Sequence, residues 1–121
     1  MRLSQSSKIE LLSIQKYYED VHSHFTAWRV RYSHLEELFS AEPYQLFLSI
    51  HSNNIHASKA RLEEIMDLTD VRAEKIDCIF HIIEFEKMIC EFSSKEQFLE
   101  YCRIGMNLDP ENPFFLRSSG V

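Results

Sequence analysis

Large apolar side chains recur along the first third of the chain at alternating spacings of three and four residues. This spacing places them on one stripe of an α-helix, which has about 3.6 residues per turn. The first proline is Pro43, so nothing breaks a helix over 7–40, which would be ~50 Å long. The pattern predicts this helix. Its apolar stripe, called the seam below, comprises Leu11, Ile14, Tyr18, Val21, Phe25, Trp28, Tyr32, Leu35 and Phe39.

The seam needs a cover, because a single amphipathic helix cannot hide its apolar stripe from water. Tyr18, Phe25, Trp28 and Tyr32 make it rich in aromatic side chains, which favours a bundle with a thick core over a two-stranded coiled coil of Leu, Ile and Val. We expect the later helices of the chain to cover most of it. The same aromatic residues are candidate anchors of a two-fold interface, so a homodimer is a second possibility.

The segment 43–68 is predicted to be helical, with Pro43 in its first turn, where the missing N–H costs nothing. Leu46, Phe47 and Ile50 are its expected buried face. The run Ser52, Asn53 and Asn54 favours a break or a kink, because these side chains compete for backbone hydrogen bonds. Whether 43–68 forms one kinked helix or two is left open.

Two more helices are predicted, over 70–92 and 94–108. The first has few polar positions and is expected to be the central helix of the bundle, and the second opens with a capping-box pattern and ends before Asp109 and Pro110. The tail 109–121 is predicted to be irregular, with Phe114 and Phe115 folded back onto the domain or serving as a docking peptide. The predicted fold is therefore one all-α domain, a four- to five-helix bundle.

Composition and charge limit the classes of partner that the chain is expected to bind. The 121-residue chain has two glycines, 45% hydrophobic residues and a net charge of −6. Residues 1–40 hold five basic and five acidic side chains, whereas 41–110 hold seven and thirteen. An acidic surface repels nucleic-acid phosphates and anionic lipid, so we expect neither direct nucleic-acid binding nor membrane binding, but a neutral or basic protein partner.

Cysteines and the N-terminal sequence indicate the compartment. Cys78, Cys90 and Cys102 are odd in number and lie among apolar neighbours, as expected of reduced thiols rather than a disulfide framework. The N-terminal sequence has no apolar run of signal-peptide length. We expect a cytoplasmic protein.

The stretch 94–115, "SKEQFLEYCRIGMNLDPENPFF", resembles the second helix of a tetratricopeptide repeat and the turn that follows it. Gly105 matches a small packing position of that family, whereas Glu86 and Phe98 stand where it has small residues. The resemblance covers about a fifth of the chain and implies peptide or protein binding.

The segment "IHASKARLEEI" resembles the phosphoacceptor helix of histidine phosphotransfer domains, which are four-helix bundles of about this length. The resemblance implies that His56 is the phosphoacceptor nucleophile, that Lys59 supplies a screening cation and that the small Ala60 leaves access. The acidic residues downstream depart from the glycine-rich turn of that family.

The other candidate sites, for metal binding or nucleophilic catalysis, lack some of the residues that they require. Glu19 and His22 form one Glu-x-x-His pair where bundle di-iron sites use two. Cys78 and His81 are half of a zinc site at most. No glycine-flanked nucleophile and no glycine-rich loop occur. We expect no metal, no cofactor and no enzymatic activity.

The function expected from the sequence is that of a non-enzymatic protein-binding module, such as an acidic adaptor, an inhibitor or immunity-type regulator, or an export chaperone. Histidine phosphotransfer through His56 is the alternative. The candidate interface residues are Tyr18, Phe25, Trp28, Tyr32, Phe114 and Phe115.

Overall fold

The computed structural model describes residues 1–29, 41–89 and 95–119, except for the side chains of Trp28 and Arg29. Five helices account for 86% of these residues, and no strand occurs among them. The helices are α1 (Gln5–Arg29), α2 (Glu42–Asp67), α3 (Arg72–Ile89), α4 (Lys95–Leu108) and α5 (Pro113–Ser118). The prediction of an all-α helical bundle is confirmed.

Helix α3 lies at the centre of the described bundle and packs against α1, α2 and α4. It buries eight of its eighteen residues, so it is stable only where other helices cover several of its faces. The residues that it buries are Cys78, Ile79, Ile82, Ile83, Phe85, Glu86, Met88 and Ile89. The expected central helix is therefore present, over Arg72–Ile89.

Helix α1 begins after Ser4, whose Oγ accepts a hydrogen bond from the N–H of Ser7 at 3.2 Å, as an N-cap side chain does. The described part of the seam faces the interior: Leu11, Ile14, Tyr18 and Val21 are buried and Phe25 packs against them. The later helices thus cover this part of the seam, as predicted. The rest of the predicted helix, 30–40, lies outside the described residues together with Tyr32, Leu35 and Phe39.

Helix α2 runs without interruption from Glu42 to Asp67, so 43–68 lies in one helix and not in two. Asn53 and Asn54 are exposed, whereas Ile55 is fully buried, so the apolar stripe continues through this segment. The buried face predicted for the segment 43–68 is partly wrong. Phe47 is buried, but Leu46 and Ile50 are exposed, because the stripe follows the spacing of Tyr44, Phe47, Ile55, Lys59, Leu62 and Ile65.

The tail contains helix α5, so the prediction that 109–121 is irregular is wrong. Asn112 caps α5, since its Oδ1 accepts from the N–H of Phe114 at 2.9 Å, and Pro113 occupies the first turn. Phe115 is fully buried, and a Cβ on Gly105 would overlap its ring. The Phe114 ring lies 4.6 Å from that of Phe80. The tail therefore folds back onto the domain, as expected.

One ion pair lies inside the core among the described residues. Lys59 of α2 is 8% exposed and Glu86 of α3 is 1% exposed, and the Lys59 ammonium donates to Glu86 Oε1. Glu86 Oε2 is buried and has no hydrogen-bond partner in the described part of the chain. Burial of two charges carries a desolvation cost that their attraction offsets only while both are present.

We expect Lys59→Met to lower the free energy of unfolding by ~3–5 kcal/mol, because it leaves the Glu86 carboxylate buried without a counter-ion. The double variant Lys59→Met/Glu86→Leu should unfold within ~1 kcal/mol of the native chain or above it, since both charges are gone. Urea denaturation followed by circular dichroism measures both.

Arg103→Met is the control, because Arg103 and Glu100 form an exposed pair at 2.9 Å on α4, and such pairs contribute ~0–1 kcal/mol. A Lys59→Met variant no less stable than Arg103→Met would contradict the placement of Lys59 and Glu86.

Candidate functional site: the grooves beside the N-terminal helix

Helix α1 lies against both α2 and α3, and two consecutive tyrosines connect it to them. The Tyr17 hydroxyl lies 3.1 Å from His51 Nδ1 of α2, and the Tyr18 hydroxyl donates to Glu84 Oε2 of α3 at 3.0 Å. Adjacent residues of a helix point ~100° apart, which lets neighbouring side chains reach different helices. A groove lies between α1 and α2, and another lies between α1 and α3.

The α1–α2 groove has a volume of about 340 Å³ and is lined by Glu10, Ile14, Tyr17, Asn54, Ala57, Ser58 and Arg61. The Arg61 guanidinium donates to both carboxylate oxygens of Glu10, at 2.6 and 2.7 Å, and to Glu64 at 2.6 Å. The hydrogen bond from Arg61 lowers the pKa of Glu10. The one cation in this groove is thus already neutralised by two carboxylates.

The α1–α3 groove has a volume of about 220 Å³ and is lined by Leu3, Lys8, Leu11, Leu12, Gln15, Glu74 and Asp77. Glu74 accepts hydrogen bonds from the Thr69 hydroxyl at 2.6 Å and from the N–H of Leu3 at 3.2 Å, and the Thr69 bond chiefly lowers its pKa. The exposed Asp77 carboxylate has no hydrogen bond or ion pair within the described residues. This groove combines apolar walls with a rim of two carboxylates, Glu74 and Asp77, and one cation, Lys8.

An aromatic cluster continues the boundary between α1 and α3. The ring of Tyr18 stacks on His22 at 5.2 Å and meets the edges of His81 and Phe85 at 5.1 and 5.5 Å. Burial and the Glu84 carboxylate raise the pKa of Tyr18 well above its ordinary value. The phenol therefore stays protonated at neutral pH and remains a donor to Glu84.

Two pairs of large apolar side chains point to solvent. Ile9 and Leu12 on α1 are 57% and 63% exposed, and Leu46 and Ile50 on α2 are 59–61% exposed. Each pair spans about one helical turn, so its members are neighbours on the surface. Neither pair is among the interface candidates predicted from the sequence. The exposure of Ile9 and Leu12 could have been predicted, because both lie beside the seam rather than in it.

The candidate interface residues occupy different environments. Tyr18 is 9% exposed and Phe115 is fully buried, so both are core residues. The prediction that their side chains form an interface is therefore corrected. Phe25 and Phe114 are half-buried and pack against the core, with the Lys87 ammonium 4.5 Å from the Phe114 ring centre. The Trp28 side chain and Tyr32 lie outside the described residues.

The arrangement implied by the phosphotransfer resemblance is only partly present. His56 and Ala60 are exposed on α2. Lys59, however, is buried and its ammonium pairs with Glu86. The predicted role of Lys59 as a screening cation beside His56 is therefore wrong, because its charge is neutralised in the core.

The candidate metal ligands do not converge. Cys78 is fully buried, and burial raises the pKa of its thiol to about 12, while His81 Nδ1 lies 2.7 Å from the carbonyl oxygen of Asp77. His22 stacks on Tyr18. In 1–29, 41–89 and 95–119, no three His, Cys, Asp or Glu side chains are grouped so that they could hold a metal ion. Within the same residues, no helix has the length and apolar character needed to cross a bilayer.

Comparison of the chain with protein-family models, with curated proteins and with solved structures finds no match in any of the three. The resemblances to tetratricopeptide repeats and to phosphotransfer domains therefore rest on the quoted motifs alone.

The contact between Tyr17 and His51 predicts a measurable pKa. Burial, and to a lesser degree the nearby His24, lower the pKa of His51 below its ordinary 6.5. Because the folded pKa lies below the unfolded one, the stability from this imidazole is complete above pH ~6.5 and is lost as the pH falls toward the folded pKa.

Titration of the imidazole protons by NMR should thus give a His51 pKa below 6.5. His24→Gln should raise it, because a like charge is removed, without restoring 6.5, because burial is the larger cause. A His51 that titrates at 6.5 or higher in the native chain would contradict the packing of α1 on α2.

Proposed function

We propose that this chain is a non-enzymatic protein-binding module whose outer α1 surface docks onto another protein. Adaptors, inhibitors or immunity-type regulators and export chaperones are the classes of small acidic helical protein that fit this proposal. The binding mode is recognition of a helix face and the grooves beside it, in which a few apolar anchors give affinity and the surrounding charges give specificity.

The observation that carries the proposal is the exposure of Ile9 and Leu12. The described seam residues of α1, from Leu11 to Phe25, already belong to the core or pack against it. Ile9 and Leu12 therefore make a second apolar face on the same helix. Large apolar side chains that cluster on a surface mark contact sites more often than scattered single ones do. Burial of the area of these two side chains that is still exposed would contribute ~2–4 kcal/mol before the costs of association.

The charge distribution supports a protein partner of neutral or basic character. The net charge is −6, and the rim of the α1–α3 groove carries Glu74 and Asp77. Complementary charge around an apolar contact accelerates association and disfavours wrong partners.

Histidine phosphotransfer through His56 is the second candidate. The exposure of His56 favours it, since a phosphoacceptor imidazole has to be reachable. The engagement of Lys59 by Glu86 opposes it. Phosphorylation that is lost in His56→Gln would support this candidate, and a protein-binding module would be indifferent to that substitution.

Capture of partners by the tagged full-length chain from its native source, with light scattering of the purified chain, tests the proposal. The native chain should retain a stoichiometric partner. Ile9→Lys/Leu12→Lys should weaken that binding by at least ~10-fold, because two anchors are lost, with an unchanged helical circular dichroism signal.

Leu46→Lys/Ile50→Lys is the matched control, because its side chains are equally exposed on α2. If only the α2 variant loses the partner, the docking face is on α2 and not on α1. No retained protein together with a monomeric mass would overturn the binding-module proposal.

A further inference from the structure

We infer that the α1–α3 groove is the docking site for a basic amphipathic segment of a partner protein. This rests on the proposed function and specifies its site and the chemistry of its partner. An apolar side chain of the segment packs beside Leu12, and its Lys or Arg side chains pair with Asp77 and Glu84.

The apolar part of the site is shaped by three leucines from the N-terminal region. Leu3 and Leu11 are 5% and 7% exposed and form the wall of the groove, whereas Leu12 is 63% exposed at its edge. Ile9 is exposed one turn before Leu12. This arrangement suits a helix whose apolar residues recur every three or four positions, since such a face lies along a groove.

The charges of α3 are segregated around its circumference. Its three basic residues all make contacts away from α1. Lys75 donates to the Met66 carbonyl of α2 at 3.1 Å. Arg72 donates to the Leu108 carbonyl and lies 3.6 Å from Asp109, and Lys87 donates to Ser118 of α5 at 2.8 Å.

The acidic residues of α3 that reach the surface lie on the α1 side. Glu74 and Asp77 line the groove, and Glu84 accepts the Tyr18 hydroxyl, a neutral donor that leaves the carboxylate charge in place. Lys8, which also lines the groove, and Arg2 act electrostatically on Glu74. The other two carboxylates, which make no ion pair within the described residues, are Asp77, in the groove lining, and Glu84, which lies beyond that lining beside Tyr18. A basic segment complements this face, and an acidic one is repelled by it.

The α1–α2 groove does not offer the same match. Its carboxylates Glu10 and Glu64 are both held by Arg61, so an incoming cation would have to compete with a guanidinium already in place. A ligand of the α1–α3 groove is therefore expected to be basic, whereas the α1–α2 groove does not favour a basic ligand.

A displayed library of random peptides of ~16 residues, long enough for a ~24 Å helix, selected on the full chain, tests the inference. The selected peptides should be enriched in Lys and Arg and carry apolar residues at spacings of three and four. Their affinity should fall about 5-fold on Asp77→Lys and at least ~10-fold on Leu12→Lys.

Two controls match these variants in chemistry. Glu111→Lys makes the same change of charge at an exposed residue in the turn before α5, and Leu46→Lys makes the same substitution at a leucine of equal exposure. Both should leave affinity within about 2-fold.

Selection of neutral or acidic peptides, no selection of any peptide, or affinity that responds to Leu46→Lys instead of Leu12→Lys would each overturn the inference. The proposed function fails separately, when the native chain retains no protein partner. If a native partner is retained equally by Asp77→Lys, Leu12→Lys and the native chain, the inference fails and the binding function stands.

Discussion

The burial of α3 is the constraint on which the rest of the described structure depends. Eight of the eighteen residues of this helix are buried, so water must be excluded from several of its faces at once. Helices α1, α2 and α4 supply that cover, and the Phe114 ring of α5 packs against Phe80 of α3. Glu86 is the charged residue among the buried side chains of α3. Its partner Lys59 comes from α2.

The position of α1 follows from the same constraint and produces the candidate site. Because α1 covers the boundary between α2 and α3, it leaves a groove on either side, and Tyr17 and Tyr18 fix it to the two neighbours. The described seam residues, from Leu11 to Phe25, are buried in the core or packed against it. Ile9 and Leu12 are therefore not required for the core, which makes them available for contacts with another molecule.

Periodicity accounts for much of the fold that could be predicted from the sequence. The seam residues from Leu11 to Phe25, the central position of α3 and the end of α4 before Asp109 were all foreseeable, because each follows from apolar spacing or from helix-terminating residues. Local residue preferences were a poorer guide at two places. They left open whether 43–68 forms one helix or two, and α2 is a single helix. Asn112 with Pro113 starts a helix in a tail predicted to be irregular.

The candidate site was less predictable because it depends on which helices meet. Lys59 and Glu86 are far apart in the sequence, and each is ordinary as a surface residue, so only the packing of α2 on α3 reveals a buried pair. Likewise, Asp77 and Leu12 become neighbours only when α1 lies along α3. The aromatic content of the sequence indicated Tyr18 and Phe115 as interface residues instead, and both are buried in the core.

Amide hydrogen exchange of the full chain, with and without a bound partner, tests the central claim that α1 and α3 together form the docking face. The account predicts that the partner slows exchange in α1 around Leu12 and in α3 from Asp77 to Glu84, while α2 around Leu46 and Ile50 is unchanged. Added protection that is confined to α2, or is absent from both α1 and α3, would contradict it.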